Sequence, residues 1–176
     1  NDDIYLFIGL YEGLDSHNNF QNIPILRVKM NYLIAETANN YSAKQNKLIM
    51  EIVPNELLLS ISNTNLKFLA INAIDVSTKA KSLNLCIYKD AIEEFVYGFI
   101  CLSINRFNDN VYNAIIKLLQ HKLDDNILHH YYLNQNLVCI YIRAKANDSI
   151  LTSINWQKIE DTIDELSKPW LDKLFA

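Results

Sequence analysis

The spacing of apolar residues changes from helical to alternating at about residue 80. Residues 3–11, DIYLFIGLY, form an apolar run rich in β-formers and predict a buried strand. Residues 12–22 are polar and predict a loop. Pro24 suits the first turn of a helix, and Leu26, Met30, Leu33 and Ile34 follow at helical spacing. Residues 39–42 break that helix. Leu48, Ile49, Ile52 and Val53 make a second amphipathic patch. Pro54 ends it and opens a third, with Leu57, Leu58 and Ile61 on one face. A further helix is predicted over residues 63–77, carrying Leu66, Leu69, Ala70 and Ile74.

Beyond that point Leu83, Leu85 and Ile87 alternate with Asn84, Cys86 and Tyr88, the period of a half-buried strand. Residues 95–104, FVYGFICLSI, predict a strand apolar on both faces, with Gly98 marking a bulge or a close backbone approach. Asn108 and Asp109 are helix-capping candidates. Val111, Ala114, Ile115, Leu118 and Leu119 continue as a helical stripe ending near Leu123. Asp124-Asp125-Asn126 reads as a turn. Residues 127–133 and 137–143 read as two strands joined through Asn134-Gln135-Asn136, a hairpin. A last helix carries Trp156, Ile159, Ile163 and Leu166, and Pro169 is expected to kink or restart it before Trp170. The order β-β-α-β-β-α predicts an α+β sandwich with helices on one face of an open sheet, of ACT-like or ferredoxin-like kind. The expected division is residues 1–80 as a strand plus short helices, 81–150 as the ACT-like module and 151–176 as a C-terminal helical segment.

Composition narrows the function. Half of the 176 residues are hydrophobic and 20% are charged, the balance of a folded protein with one full core or two small units. A net charge of −4 argues against a duplex-binding protein, which carries a basic patch or stripe. The three glycines are Gly9, Gly13 and Gly98, too few for a dinucleotide fingerprint or a phosphate loop. Cys86, Cys101 and Cys139 each sit in an apolar run and read as buried free thiols of a reducing compartment. No leader pattern and no membrane-spanning run is present, so a cytoplasmic location is expected. The start at Asn1 rather than Met, and the close at Ala176 directly after a helical pattern, suggest a piece of a longer polypeptide.

The chemistry-bearing residue types do not assemble into a motif. His129 and His130 are adjacent on a strand and face opposite ways, so they do not readily share a metal ion. His17 and His121 have no spacing that joins them to that pair. Glu93-Glu94 and Asp124-Asp125 read as solvated charge, because acid–base work needs a pocket that drives two pKa values apart. The cysteines lack a neighbouring base. Tyr88, Phe95, Tyr97, Phe99, Tyr131, Tyr132 and Tyr141 cluster on the expected sheet. Without basic groups and a glycine-aromatic strand motif they read as core or interface packing, not as a base-stacking platform. No residue is assigned to catalysis, to a cofactor or to a metal.

Several segments carry a resemblance. Lys89-Asp90, Phe95-Val96 and Arg106-Phe107-Asn108 resemble a segment of the large bacterial NAD-specific glutamate dehydrogenases. Residues 3–10, DIYLFIGL, are similar to a strand of that family. Residues 23–29, IPILRVK, are similar to its helix start, Pro54-Asn55-Glu56-Leu57 to a turn, and Lys168-Pro169-Trp170-Leu171-Asp172 to a later signature. The resemblance covers almost the whole chain in order. The chain departs from the family at Glu94, Ile104 and Tyr112, where arginine is expected, and at Asn46-Lys47, where a glycine-lysine pair is expected before the second helix.

The resemblance implies a non-catalytic regulatory or assembly domain, ACT-like and N-terminal to the catalytic part. The parent enzyme would oxidise L-glutamate to 2-oxoglutarate and ammonia with NAD, and no cofactor would bind in this stretch. The implied partners are other domains or subunits of that enzyme and an amino-acid effector, with no nucleic acid and no membrane. The alternative is a stand-alone ferredoxin-like binding module for an amino acid or RNA.

Overall fold

The computed structural model describes residues 23–89, 95–123, 126–134, 136–145 and 148–169. The strand expected over residues 3–11 lies outside them, as do His17, Glu93, Glu94, Asp124, Asp125 and residues 170–176.

Four helices come first. They are α1 (Pro24–Thr37), α2 (Ala43–Ile52), α3 (Asn55–Ser60) and α4 (Asn63–Ser77). Local chemistry sets their limits. Pro24 opens α1, where its missing N–H costs nothing. Ser42 and Gln45 close a capping box at the start of α2, and the Ser62 hydroxyl accepts from the Asn65 N–H at the start of α4. Asn46 stands inside α2, not ahead of a helix. Its amide donates to the Thr37 hydroxyl (2.6 Å), which in turn donates to the Leu33 carbonyl (2.7 Å). Lys29 is buried on α1 and its ammonium donates to the carbonyls of Leu58 (2.6 Å), Leu59 (3.1 Å) and Ile61 (2.6 Å). These carbonyls lie at the end of α3, where no intrahelical donor is available. Burial lowers the pKa of Lys29, and the three acceptors are what keep its charge tolerable there.

Strands β1 (Leu83–Lys89) and β2 (Phe95–Ser103) follow, then a 3-10 turn (Ile104–Arg106) and α5 (Asp109–Gln120), capped by Asn108. Next come β3 (Leu128–Leu133), β4 (Leu137–Lys145), α6 (Asp148–Ser153) and α7 (Trp156–Ser167). The described residues thus form an α+β fold with one four-stranded antiparallel sheet in the order β1-β2-β4-β3. The short helix α6 has no counterpart in the sequence pattern. Helix α7 ends two residues before Pro169, and the restart expected beyond it lies outside the described residues.

The sheet corrects one expectation. Helices cover both of its faces, not one. One face presents Cys86, Tyr97, Phe99, Cys101, Cys139 and Tyr141 to a core shared with α1, α2, α3 and α4. The other presents Val96, Ile100, Leu102, Val138, Ile140 and Ile142 to Ile115 and Leu119 of α5 and Ile159 and Ile163 of α7. The physical cause lies in β2 and β4, which are buried along nearly their whole length and have no polar face to offer water.

Gly98 sits at the centre of β2. The register runs unbroken through Ile87, Gly98 and Ile142, so no bulge forms. The missing side chain instead makes room for two neighbours. A Cβ there would stand 2.5 Å from Ile142 Cγ1 and 2.9 Å from Ile87 Cδ1. Gly98→Ala is therefore expected to lower unfolding free energy by about 1–3 kcal/mol through overpacking, measured by urea denaturation. Lys29→Met keeps the stem and removes the donor. It strands buried carbonyls at the end of α3, with an expected loss of about 1–3 kcal/mol in the same assay.

Candidate functional site

Among the described residues, a cluster of polar and aromatic side chains lies where β3 meets α5, at the margin of the second core. Successive β3 residues alternate between faces, so His129 and Tyr131 turn towards α5 while His130 turns away. Asn108 fixes the start of α5 by accepting from the Val111 N–H (3.0 Å), which sets Tyr112 one turn in. The Tyr112 hydroxyl lies 2.6 Å from His129 Nδ1. Tyr131 packs edge-on against Tyr112 with ring centroids 4.9 Å apart, and Phe107 lies 5.0 Å from Tyr131. Burial, with a smaller contribution from Tyr131, raises the pKa of Tyr112, so it is a neutral hydroxyl at physiological pH. The Tyr112 hydroxyl and His129 Nδ1 are hydrogen-bonded, with the donor set by the histidine tautomer. This pair can position a ring.

The cysteines are buried and free, as their apolar settings predict. Cys101 and Cys139 are directly opposed on β2 and β4 with sulfurs 3.8 Å apart. The hydrogen bond to Cys139, with burial, pushes the Cys101 thiol well up, and burial does the same for Cys86. Both are thiols, not thiolates, which makes them poor nucleophiles. The expected aromatic cluster divides between faces. Tyr88, Tyr97, Phe99 and Tyr141 form a row beneath the first four helices, with Tyr88 and Tyr97 stacked at 5.3 Å. The Arg143 guanidinium lies 3.8 Å from the Phe95 ring centroid, a cation–π contact.

Two surface clefts flank α7. One of about 420 Å³ lies between α5 and α7, where His121, Lys122 and Lys158 supply basic groups. Three of its other polar side chains are already engaged. Asn155 accepts from the Lys158 N–H, the Thr162 hydroxyl donates to the Lys158 carbonyl, and Ser153 bonds back to Ile150. The other, of about 350 Å³, lies between α7 and the start of β1 and carries Glu160, Asp161, Asp164 and Glu165. Asp164 is committed to Arg106 (2.6 Å), whose side chain is only 11% exposed and whose guanidinium also donates to the Ser167 hydroxyl (3.3 Å). Glu160 accepts from the Leu85 N–H on β1 (3.0 Å). Among the described residues no three His, Cys, Asp or Glu side chains are placed to hold a metal ion. None of their helices is long and apolar enough to cross a membrane.

No protein-family model matches the chain, and no curated protein matches it.

The residues that tie the structure together were not site candidates on sequence grounds. Arg106 and Asp164 are 58 positions apart, and Tyr112 and His129 are 17 apart, so no local spacing announces either pair. Lys29, Arg106, Asn108 and Phe107 do all lie in the segments singled out for their resemblance, and each has a structural task. Removing the Tyr112 hydroxyl tests the pair. Tyr112→Phe is expected to cost about 0.5–1.5 kcal/mol in urea denaturation. It should also move the His129 ring nitrogen NMR shifts as Nδ1 loses its hydrogen-bond partner.

Proposed function

We propose that this chain is a non-catalytic module of ACT-like, ferredoxin-like type that serves the assembly or regulation of a larger cytoplasmic enzyme. The observation that carries the reading is the crossover from β2 through α5 to β3. Those two strands run parallel, and β4 lies antiparallel between them. This is the split βαβ arrangement, with β1 completing the sheet beside β2. Committed polar groups also support a module that works through contacts. Arg106, Asp164, Glu160 and Lys29 bind the fold's own backbone and side chains. The resemblance of five ordered segments supplies the parent, an NAD-dependent glutamate dehydrogenase, whose NAD and glutamate sites would lie elsewhere in the polypeptide. A stand-alone RNA-binding module draws little support, because Tyr97, Phe99 and Tyr141 are buried and Tyr141 packs against both of the others.

An activity assay separates the readings. The purified chain is expected to reduce no NAD with L-glutamate, whereas the native polypeptide that carries it does. Glutamate oxidation by the chain alone would overturn the non-catalytic assignment, and a native polypeptide without that activity would remove the parent.

A further inference from the structure

The two edges of the sheet are treated differently. On β1 the outward groups belong to the odd-numbered residues, and the Leu85 N–H is already taken by the Glu160 carboxylate of α7. Three further acidic side chains, Asp161, Asp164 and Glu165, stand along that cleft. A covered, charged edge resists pairing with another strand. Strand β3 has no such protection among the described residues. Its sequence, LHHYYL, contains no lysine, arginine, acid or proline. Leu128 is 50% exposed, Tyr131 39% and Leu133 56%.

The direction of its backbone groups follows from the hairpin. Asn134 and Leu137 exchange both hydrogen bonds, N–H to carbonyl, at 2.8 and 3.3 Å. Bonded and non-bonded pairs alternate along an antiparallel ladder. Tyr132 and His130 therefore bond to β4, while the N–H and C=O groups of His129, Tyr131 and Leu133 point outwards.

We propose that this edge is a self-association surface, where β3 pairs antiparallel with β3 of a second copy of the chain about a two-fold axis at Tyr131. The pairing sets Tyr131 opposite its own copy and His129 opposite Leu133 of the copy. All three outward-pointing residues then find partners, and the two sheets merge into one of eight strands. Residues that meet across the axis lie on the same face, because the rotation preserves the odd-numbered series. On that face the rings of Phe107, Tyr112 and Tyr131 continue into their symmetry mates as one aromatic row. Charge favours a second copy over a foreign segment. Residues 128–133 carry nothing to repel their own copy, and nothing with which to select a charged peptide. A six-residue strand spans about 20 Å, so the contact is small and the dimer weak and concentration-dependent. The inference rests on this edge alone and not on the parent enzyme proposed above.

Sedimentation velocity on the intact chain at rising concentration tests it, with a shift from monomer to dimer mass expected. Tyr131→Lys puts two like charges on the axis and is expected to raise the dissociation constant at least about ten-fold. Leu133→Lys, at a more exposed position, is a second variant that does not depend on the ring packing of Tyr131. Amide exchange gives an independent reading. The N–H groups of His129, Tyr131 and Leu133 are expected to slow with concentration, while those of His130 and Tyr132 stay constant. A chain that remains monomeric at every concentration overturns the proposal. So does a dimer indifferent to both lysine variants with freely exchanging odd-numbered amides.

Discussion

The arrangement depends on one constraint, the lack of a polar face on β2 and β4. A strand that is apolar on both sides has to be covered on both sides, and each uncovered large side chain costs about 1.5–3 kcal/mol. The chain meets this by placing α4 and its three companions against one face and α5 with α7 against the other. Phe99 and Ile100, adjacent in sequence, consequently belong to different cores. Gly98 makes the same constraint local. Two isoleucines from the flanking strands fill the space its side chain would take, so the sheet is packed across β2 as well as above and below it.

Polar groups then act as fasteners between pieces that hydrophobic burial alone would not orient. Lys29 holds α1 to the end of α3, and Asn46 with Thr37 holds α2 to α1. Arg106 holds the end of β2 to α7, and Glu160 holds α7 to the edge of β1. Each is buried or half-buried and directional, which raises its worth above that of an exposed ion pair. Two of these fasteners meet on α7. That helix has a narrow stripe of buried residues, with Ile159 and Ile163 at its centre, and depends on Asp164 and Glu160 for its angle to the sheet.

Much of the local structure was legible from residue spacing. The helix predicted over residues 63–77 matches α4, and the four strands predicted after residue 80 are present with small shifts at their ends. These elements combine a clear period with a visible stop, such as the polar residues before β3. The placement of the layers was not legible. The stripe on each of α1 to α4 shows that a face is buried but not which surface buries it. Helix α6 escaped because six residues hold less than two turns, too few for a period to emerge. The candidate site was the least legible part. His129 was visible as a strand histidine, yet its partner Tyr112 stands 17 residues earlier on another element, where the resemblance leads one to expect arginine. Long-range pairs of this kind are made by the fold and leave no mark in sequence spacing.

The contact between Ser82 and Asp164 bears on chain order. The Ser82 hydroxyl, one residue ahead of β1, lies 3.4 Å from an Asp164 carboxylate oxygen near the end of α7. The start and finish of the sheet-bearing half therefore meet in space, and its elements form a ring interrupted at one point. Spatial neighbours at chain ends are the condition under which a fold tolerates being joined there and opened elsewhere. Opened between β1 and β2, the same ring would be a chain of strand, helix, two strands, α6 with α7, and a final strand. The connectivity read along the backbone is one of several linear readings of a single circular arrangement of contacts.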